Sequence, residues 1–172
     1  MKKLILILVA SLMAGVAMAG NPKAGAVDSL RFEIIKKAVE SRNFIVEADR
    51  ASFNRGRSVN VSSVTNFISV KDESAVIQIS TLPGSGINGV GGITVEGSLS
   101  GYEIRTSKRG AMYISFDVMG PAVSANVTIS LPKNGERVSV RINGNFNTSE
   151  IALNGTIMPT FESKVFQGTT IY

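Results

Sequence analysis

From Asn43 onward every second side chain is apolar, and that alternation limits the chain to a narrow class of folds. "FIVEADR" sets Phe44, Val46 and Ala48 on one face, with Ile45, Glu47 and Asp49 opposite. "MYISFDV" groups Met112, Ile114, Phe116 and Val118, and "VSANVTISL" groups Val123, Ala125, Val127, Ile129 and Leu131. "VSVRI" adds Val138, Val140 and Ile142, while the intervening positions read Ser, Asn, Thr, Asp or Arg. A period of two with one dry face is the pattern of antiparallel strands; strands buried on both faces would read as unbroken Val/Ile runs. The breaks "SKRG", "MGP", "PKNG" and "NGNFN" are short and rich in turn residues, which favours direct antiparallel neighbours. Strand-like segments fall at 43–51, 57–62, 64–70, 75–80, 92–98, 101–107, 111–118, 122–131, 136–143 and 149–157, for about eight or nine true strands. The expected fold is mainly β: an antiparallel meander forming a barrel or a strongly curved sheet.

One segment departs from this period. "VDSLRFEIIKKAVESRN" has Leu30, Phe32, Ile34, Ile35 and Val39 at mixed three- and four-residue spacings, which predicts a helix over about 27–41. Asp28 or Ser29 is the expected N-cap, and Lys36, Lys37 and Arg42 suit the C-terminal end of the helix dipole. This helix is expected to pack on an opening or edge of the sheet.

Before it, Lys2 and Lys3 precede an apolar run from Leu4 to Val16 and the small-x-small stretch Ala17-Met18-Ala19. That is the grammar of a secretory signal cut between Ala19 and Gly20. The expected division is a signal over 1–19, a disordered leader over 20–26, a single β-rich domain over 27–158, and a tail or last strand over 159–172. The expected location is periplasmic or secreted. The chain lacks cysteine, so neither a disulfide nor a lipid on an N-terminal Cys is available, and no further apolar run predicts a retained membrane span.

Composition also restricts chemistry. There is no histidine; with no cysteine either, His-based triads, Cys–His dyads and most zinc sites are excluded, and no metal or other cofactor is expected. Lys and Arg exceed Asp and Glu by five, and by three once Lys2 and Lys3 leave with the signal. Those charges are scattered, without the clustered stripe of a nucleic-acid binder. The tightest basic group, Arg50, Arg55 and Arg57, reads as a solvated turn with some capacity for an anion. Gly84-Ser85-Gly86-Ile87-Asn88-Gly89 spells G-x-G-x-x-G, but an alternating segment follows where a dinucleotide fold needs a helix. The expected role of these glycines is a mobile crossing between two strands. Ser130-Leu131-Pro132-Lys133 matches S-x-x-K at a strand end, without the companion motifs or helix of acyl-transfer enzymes. Glu47 and Asp49 share a strand face, as any wet face allows. Absence of Trp counts against a carbohydrate-stacking platform.

The run "FIVEADRASFNRGRSVNVSS", then "LPGSG", "GGITVEGSLSGYEIR" and "NGTI", resembles the secreted bacterial family known as domain of unknown function 4251, over about residues 30–158. The resemblance implies an early helix, a strand with a basic end, a Tyr shortly after the "GG-I-x-V-x-G" stretch (Tyr102) and alternating strands to the end. Family members tend to carry an aromatic and basic stretch after the Leu-Pro, whereas Leu82-Pro83 here runs into "GSGINGV". The resemblance implies no settled activity. The resulting expectation is an exported, non-catalytic structural or ligand-binding module of the cell envelope, whose partner is an unknown small molecule or envelope protein and not nucleic acid. Its ligand rim is expected at Leu82, Pro83, Gly84, Gly86, Gly89, Tyr102, Arg55 and Arg57. The alternatives are a small outer-membrane β-barrel and a hydrolase using Ser, Lys or carboxylate groups.

Overall fold

The alternating segments pair into a nine-stranded antiparallel sheet that closes on itself. The computed structural model describes residues 24–53, 57–80, 92–121, 123–145 and 150–165. A helix, α1 (Ala24–Glu40), is followed by β1 (Asn43–Phe53), β2 (Arg57–Asn60), β3 (Asn66–Lys71), β4 (Ser74–Ile79), β5 (Ile93–Thr106), β6 (Met112–Met119), β7 (Ser124–Leu131), β8 (Arg137–Gly144) and β9 (Ile151–Pro159). A short 3-10 turn, Thr160–Glu162, ends the described order. From β3 to β9 each strand pairs with the next in sequence, and β9 pairs back onto β1 from Phe44↔Pro159 to Ser52↔Ala152. On its other edge β1 meets β3 through its first half and β2 through its second. The result is a closed eight-stranded barrel with β2 as a short addition.

The dry face of each strand points inward. One row runs Ile104–Ile114–Ile129–Val140–Leu153–Ala51 across six strands, and another runs Ile157–Val46–Ile68–Ile77–Val95 across five. Together with Phe44, Phe116, Val118, Val127 and Ile142 these side chains form one contiguous buried cluster, with the partly buried Ile104 packed against it. Eight strands enclose just enough space for side chains to fill, and each fully buried Val, Ile or Phe contributes about 1.5–3 kcal/mol.

The helix closes one end. Phe32, Ile35, Ala38 and Val39 are buried in the same cluster, and α1 lies against β1 and β9. Two expectations for it are corrected. Leu30 and Ile34 are exposed at 65% and 46%, because the seated face follows Phe32, Ile35 and Val39. Asp28 and Ser29 are not caps: the helix begins at Ala24, and the Ser29 hydroxyl donates back to the Gly25 carbonyl at 2.8 Å. The helix therefore starts inside the stretch read as a leader.

A third correction concerns β5. Segments 92–98 and 101–107 are one strand, and Ser100-Gly101 is not a turn between two. Ser100 pairs with Asp117 and Glu103 with Ser115, so Gly101 and Tyr102 together face Phe116. This is a β-bulge with Gly101 at φ +59°, a conformation glycine adopts at little cost. The extra residue switches the inward parity from Val95 and Leu99 to Tyr102 and Ile104, and keeps Glu103 and Arg105 outside. A second register shift in β1, between Ala48 and Arg50 opposite β9, moves the inward set from Ala48 to Ala51.

Ile45, on the face expected to be wet, and Phe67, which shares that face through its pairing with Glu47, are buried to 3% and 1%. The Thr160–Glu162 turn lies over β1 and β3 and covers them. Ser163 donates to Glu47 at 2.6 Å, and Arg31 bridges Glu136 and Glu162 at 3.3 and 2.7 Å.

Beside the β1 bulge, Gly155 allows an approach no side chain would permit. A Cβ there would sit 2.1 Å from the Glu47 carbonyl oxygen and 2.8 Å from the Ala48 Cα. Gly155→Ala is expected to lower stability by about 1–3 kcal/mol, the range for overpacking. Gly135→Ala, in an open hairpin where the nearest atom is at 3.4 Å, should leave the midpoint of a urea melt where it is. Equal midpoints for the two variants would contradict this account of Gly155.

Candidate functional site

Antiparallel order sorts most of the connections to two ends. The α1–β1, β3–β4, β5–β6 and β7–β8 links lie at the helix end; β1, β4, β6 and β8 end, and β2, β5, β7 and β9 begin, at the other, open end. β2 and β3 both run antiparallel to β1, so the link between them lies midway along β1, where the Val61 N–H donates to the Asp49 carbonyl at 2.9 Å. Leu82, Pro83, Gly84, Gly86 and Gly89 lie outside the described residues, as do Arg55, Ala19 and Gly20; Arg57 opens β2. The strand ends that flank the glycine stretch are nevertheless fixed. Ile79 of β4 pairs directly with Ile93 of β5. The stretch thus joins two neighbouring strands, and strand follows it where a pyrophosphate-binding turn needs a helix.

The root of this connection is built from polar groups. Asn66 is fully buried; its amide donates to the Ser62 carbonyl at 2.9 Å and to the Ser80 hydroxyl at 2.8 Å, and its oxygen accepts from the Ser80 N–H at 2.9 Å. Such a residue in one copy is costly to bury unless satisfied, and here each end of the carboxamide is used. Asn66 went unnoticed in the sequence because nothing local distinguishes it from other turn-flanking asparagines.

Tyr102 does not share this rim. It stands ten residues beyond Gly92 in β5, roughly 30 Å along a strand, and faces the helix end. Its hydroxyl donates to the Val39 carbonyl at 2.6 Å, its ring stacks on Phe116 at 5.9 Å, and the Arg42 guanidinium lies 5.1 Å above it. Val39 is in the last turn of α1, where carbonyls lack helical partners. Burial pushes the Tyr102 phenol above its ordinary range, opposed by the charge of Arg42, so it stays a donor. Tyr102 is a latch between helix and barrel.

The acid–base candidates have structural partners. Arg137 forms a two-pronged ion pair with Asp49, and Ser163 occupies Glu47. The hydrogen bond from Arg137 holds the Asp49 carboxyl below its usual range. Ser130 sits in β7, and the stem of Lys133 lies over Gly110.

On the outer face near the open end, β6, β7 and β8 form a groove of about 330 Å³ lined by Asp117, Met119, Ser124, Asn126, Asn143 and Asn145. Asp117 pairs with Asn126, and Asn126 with Asn143, so the three stand in one line across three strands. Asn126 donates to Asp117 Oδ1 at 2.8 Å, and Asn145 Oδ1 accepts from the Ser124 N–H at 2.9 Å. A methyl on Gly101 would sit 3.1 Å from Asp117 Oδ2, so the bulge glycine leaves that oxygen open. The sequence shows each of these as an isolated wet-face residue; only the register puts them in a row.

The model of the family named domain of unknown function DUF4251 matches residues 26–157. The chain belongs to the DUF4251 family. The crystal structure of a DUF4251 family protein from Bacteroides eggerthii DSM 20697 is similar to it at TM-score 0.72 and 31% identity, covering 86% of this chain and 99% of the other. No curated protein matches. The family match takes in α1 and most of the barrel, from ahead of the seated helix face to Ile157 in β9.

Two measurements check the latch and the ion pair in this DUF4251 chain. Tyr102→Phe removes one hydrogen bond and should cost about 1 kcal/mol, with faster amide exchange in the last turn of α1 than in β7. Asp49, lowered in the fold, adds stability above the ordinary Asp range and loses it as pH falls through its folded value. The small stability gap between wild type and Arg137→Gln at neutral pH should therefore close in acid, read by urea denaturation at each pH; a gap constant with pH would remove the Asp49–Arg137 pair as its source.

Proposed function

We propose that this DUF4251 protein is an exported, non-catalytic binding module of the cell envelope that recognises its ligand on the outer barrel face near the open end. The observation that carries the reading is the use already made of the interior. The inward rows are buried side chain against side chain, and α1 seals one end. A ligand pocket of the lipocalin kind needs that volume, so recognition falls to the outside, where the Asp117–Asn143 groove lies.

Support for a non-catalytic role comes from the carboxylates. Glycoside hydrolysis uses two facing acids, and the groove has one, Asp117. Glu47 and Asp49 are held in contacts that knit the fold. The barrel's polarity speaks against the outer-membrane alternative. Spanning barrels are apolar outside; here Glu103, Arg105, Asn126, Ser139, Arg141 and Asn143 face outward and the apolar rows face in. Export is supported by the n-region, apolar run and Ala17-Met18-Ala19 of the first residues.

The test is recovery of the full-length product from its own cells by osmotic shock, followed by native mass spectrometry. The expected result is a chain beginning at Gly20 in the shock fluid, carrying a small molecule or partner in part of the population. A chain retaining Met1 in the cytoplasm, or one released only by detergent, would overturn the proposal.

A further inference from the structure

The groove's chemistry narrows its ligand, and this step rests on the binding-module reading. Each group in it has a defined hydrogen-bonding sense. A carboxylate only accepts, so Asn126 must turn its NH2 to Asp117 Oδ1 and its carbonyl oxygen away. The Ser124 N–H only donates, so Asn145 turns its oxygen to it, and its NH2 makes no hydrogen bond among the described residues. The Asn143 side chain makes no hydrogen bond among the described residues and is exposed, offering both senses. Asp117 Oδ2 faces the space left by Gly101. The groove therefore offers acceptors at Asp117 and Asn126, a donor at Asn145 and either sense at Asn143, with the Asp117–Asn126–Asn143 row stepping by the strand separation of about 4.8 Å.

Several ligand classes fail against this set. Neither Lys nor Arg is among the lining residues, so an anion would meet an uncompensated carboxylate. A single carboxylate is too little charge for a tight divalent-cation site, which collects several oxygens of which more than one is charged. An extended peptide is recognised by adding to a strand edge, and here β6, β7 and β8 are each paired on both sides. An apolar ligand would strand the amides unpaired. What fits is a neutral molecule whose every polar group both donates and accepts: a hydroxyl. Met119, 56% exposed at the groove's end, offers a flexible apolar contact for the C–H face of such a ligand.

We infer that the Asp117–Asn126–Asn143 row, with Asn145 and Met119, is a binding site for a neutral carbohydrate, held by side-chain amides and one carboxylate and not by aromatic stacking. With no second acid in the groove, the sugar is bound and released unchanged.

The experiment titrates the 15N-labelled mature protein with cellobiose, maltose and N,N′-diacetylchitobiose, with a sulfated disaccharide and an acidic and a basic peptide as comparisons, and follows amide and carboxamide resonances. The expected result is a saturable shift of the Asn126, Asn143 and Asn145 carboxamides with at least one neutral sugar. Binding should weaken roughly ten-fold or more, about 1.4 kcal/mol, in Asn126→Ala/Asn143→Ala, with the thermal midpoint kept. Asp117→Asn, which preserves shape and removes the charged acceptor, should weaken it too. Saturable shifts at these residues with the sulfated sugar or a peptide, and none with neutral sugars, would overturn the carbohydrate class and leave the binding-module reading standing. Sugar shifts confined to other residues would overturn the groove. Silence with every ligand, alongside an unliganded species in native mass spectrometry, would sink both.

Discussion

Everything else in this molecule depends on the pairing of β1 with β9. Without it the meander would be an open sheet with two long edges of unpaired N–H and C=O groups, a template for association. With it the inward faces meet across a common axis, and the alternation of each strand becomes a three-dimensional core. Closure, however, asks for strong curvature, and uniform strands do not supply it. The bulges do: one in β1 opposite β9, one in β5 opposite β6. Each sits beside a glycine whose missing side chain lets two backbones approach or one turn sharply, Gly155 in the first case and Gly101 in the second.

A bulge inverts the facing of every residue after it. It can persist only if the sequence inverts at the same place, and both strands do so. In β5 the inward set passes from Val95 and Leu99 to Tyr102 and Ile104; in β1 it passes from Ala48 to Ala51. The β5 inversion also sets the latch, because it is what turns the Tyr102 ring toward Phe116 and its hydroxyl toward Val39. Backbone curvature, core composition and the seating of α1 are thus one constraint expressed three times.

This explains what could be read from the chain and what could not. Straight strands such as β6, β7 and β8 were legible almost to the residue, because alternation is a local property. The helix was legible as a helix, but its seated face was not. Leu30 and Ile34 are as apolar as Phe32 and Ile35, and only the barrel mouth selects between them. Ser100-Gly101 looked like a turn because a bulge and a turn use the same residues. The parity switch from Leu99 to Tyr102 was the signal that separated them. Tyr102 was read as part of a rim but stands at the helix end, since a tyrosine a few residues past a glycine-rich segment can be carried far from it along one strand. The groove was not legible at all, as it exists only through the register of three strands.

That register is also why the groove lies where it does. At a bulge the one-for-one pairing lapses: between Ser100 and Glu103, β5 sets two residues against Phe116 of β6. From Met112 to Gly144 the pairings of β6 with β7 and of β7 with β8 run without a shift. Such an unbroken patch holds side chains opposite one another across three strands, and Asp117, Asn126 and Asn143 use it. At its margin Asp117 pairs with Ser100 of β5, and the bulge residue that follows is Gly101, where a methyl would sit 3.1 Å from Asp117 Oδ2. The irregular strands therefore shape the barrel and clear the space, while the regular ones hold the row of polar groups that faces it.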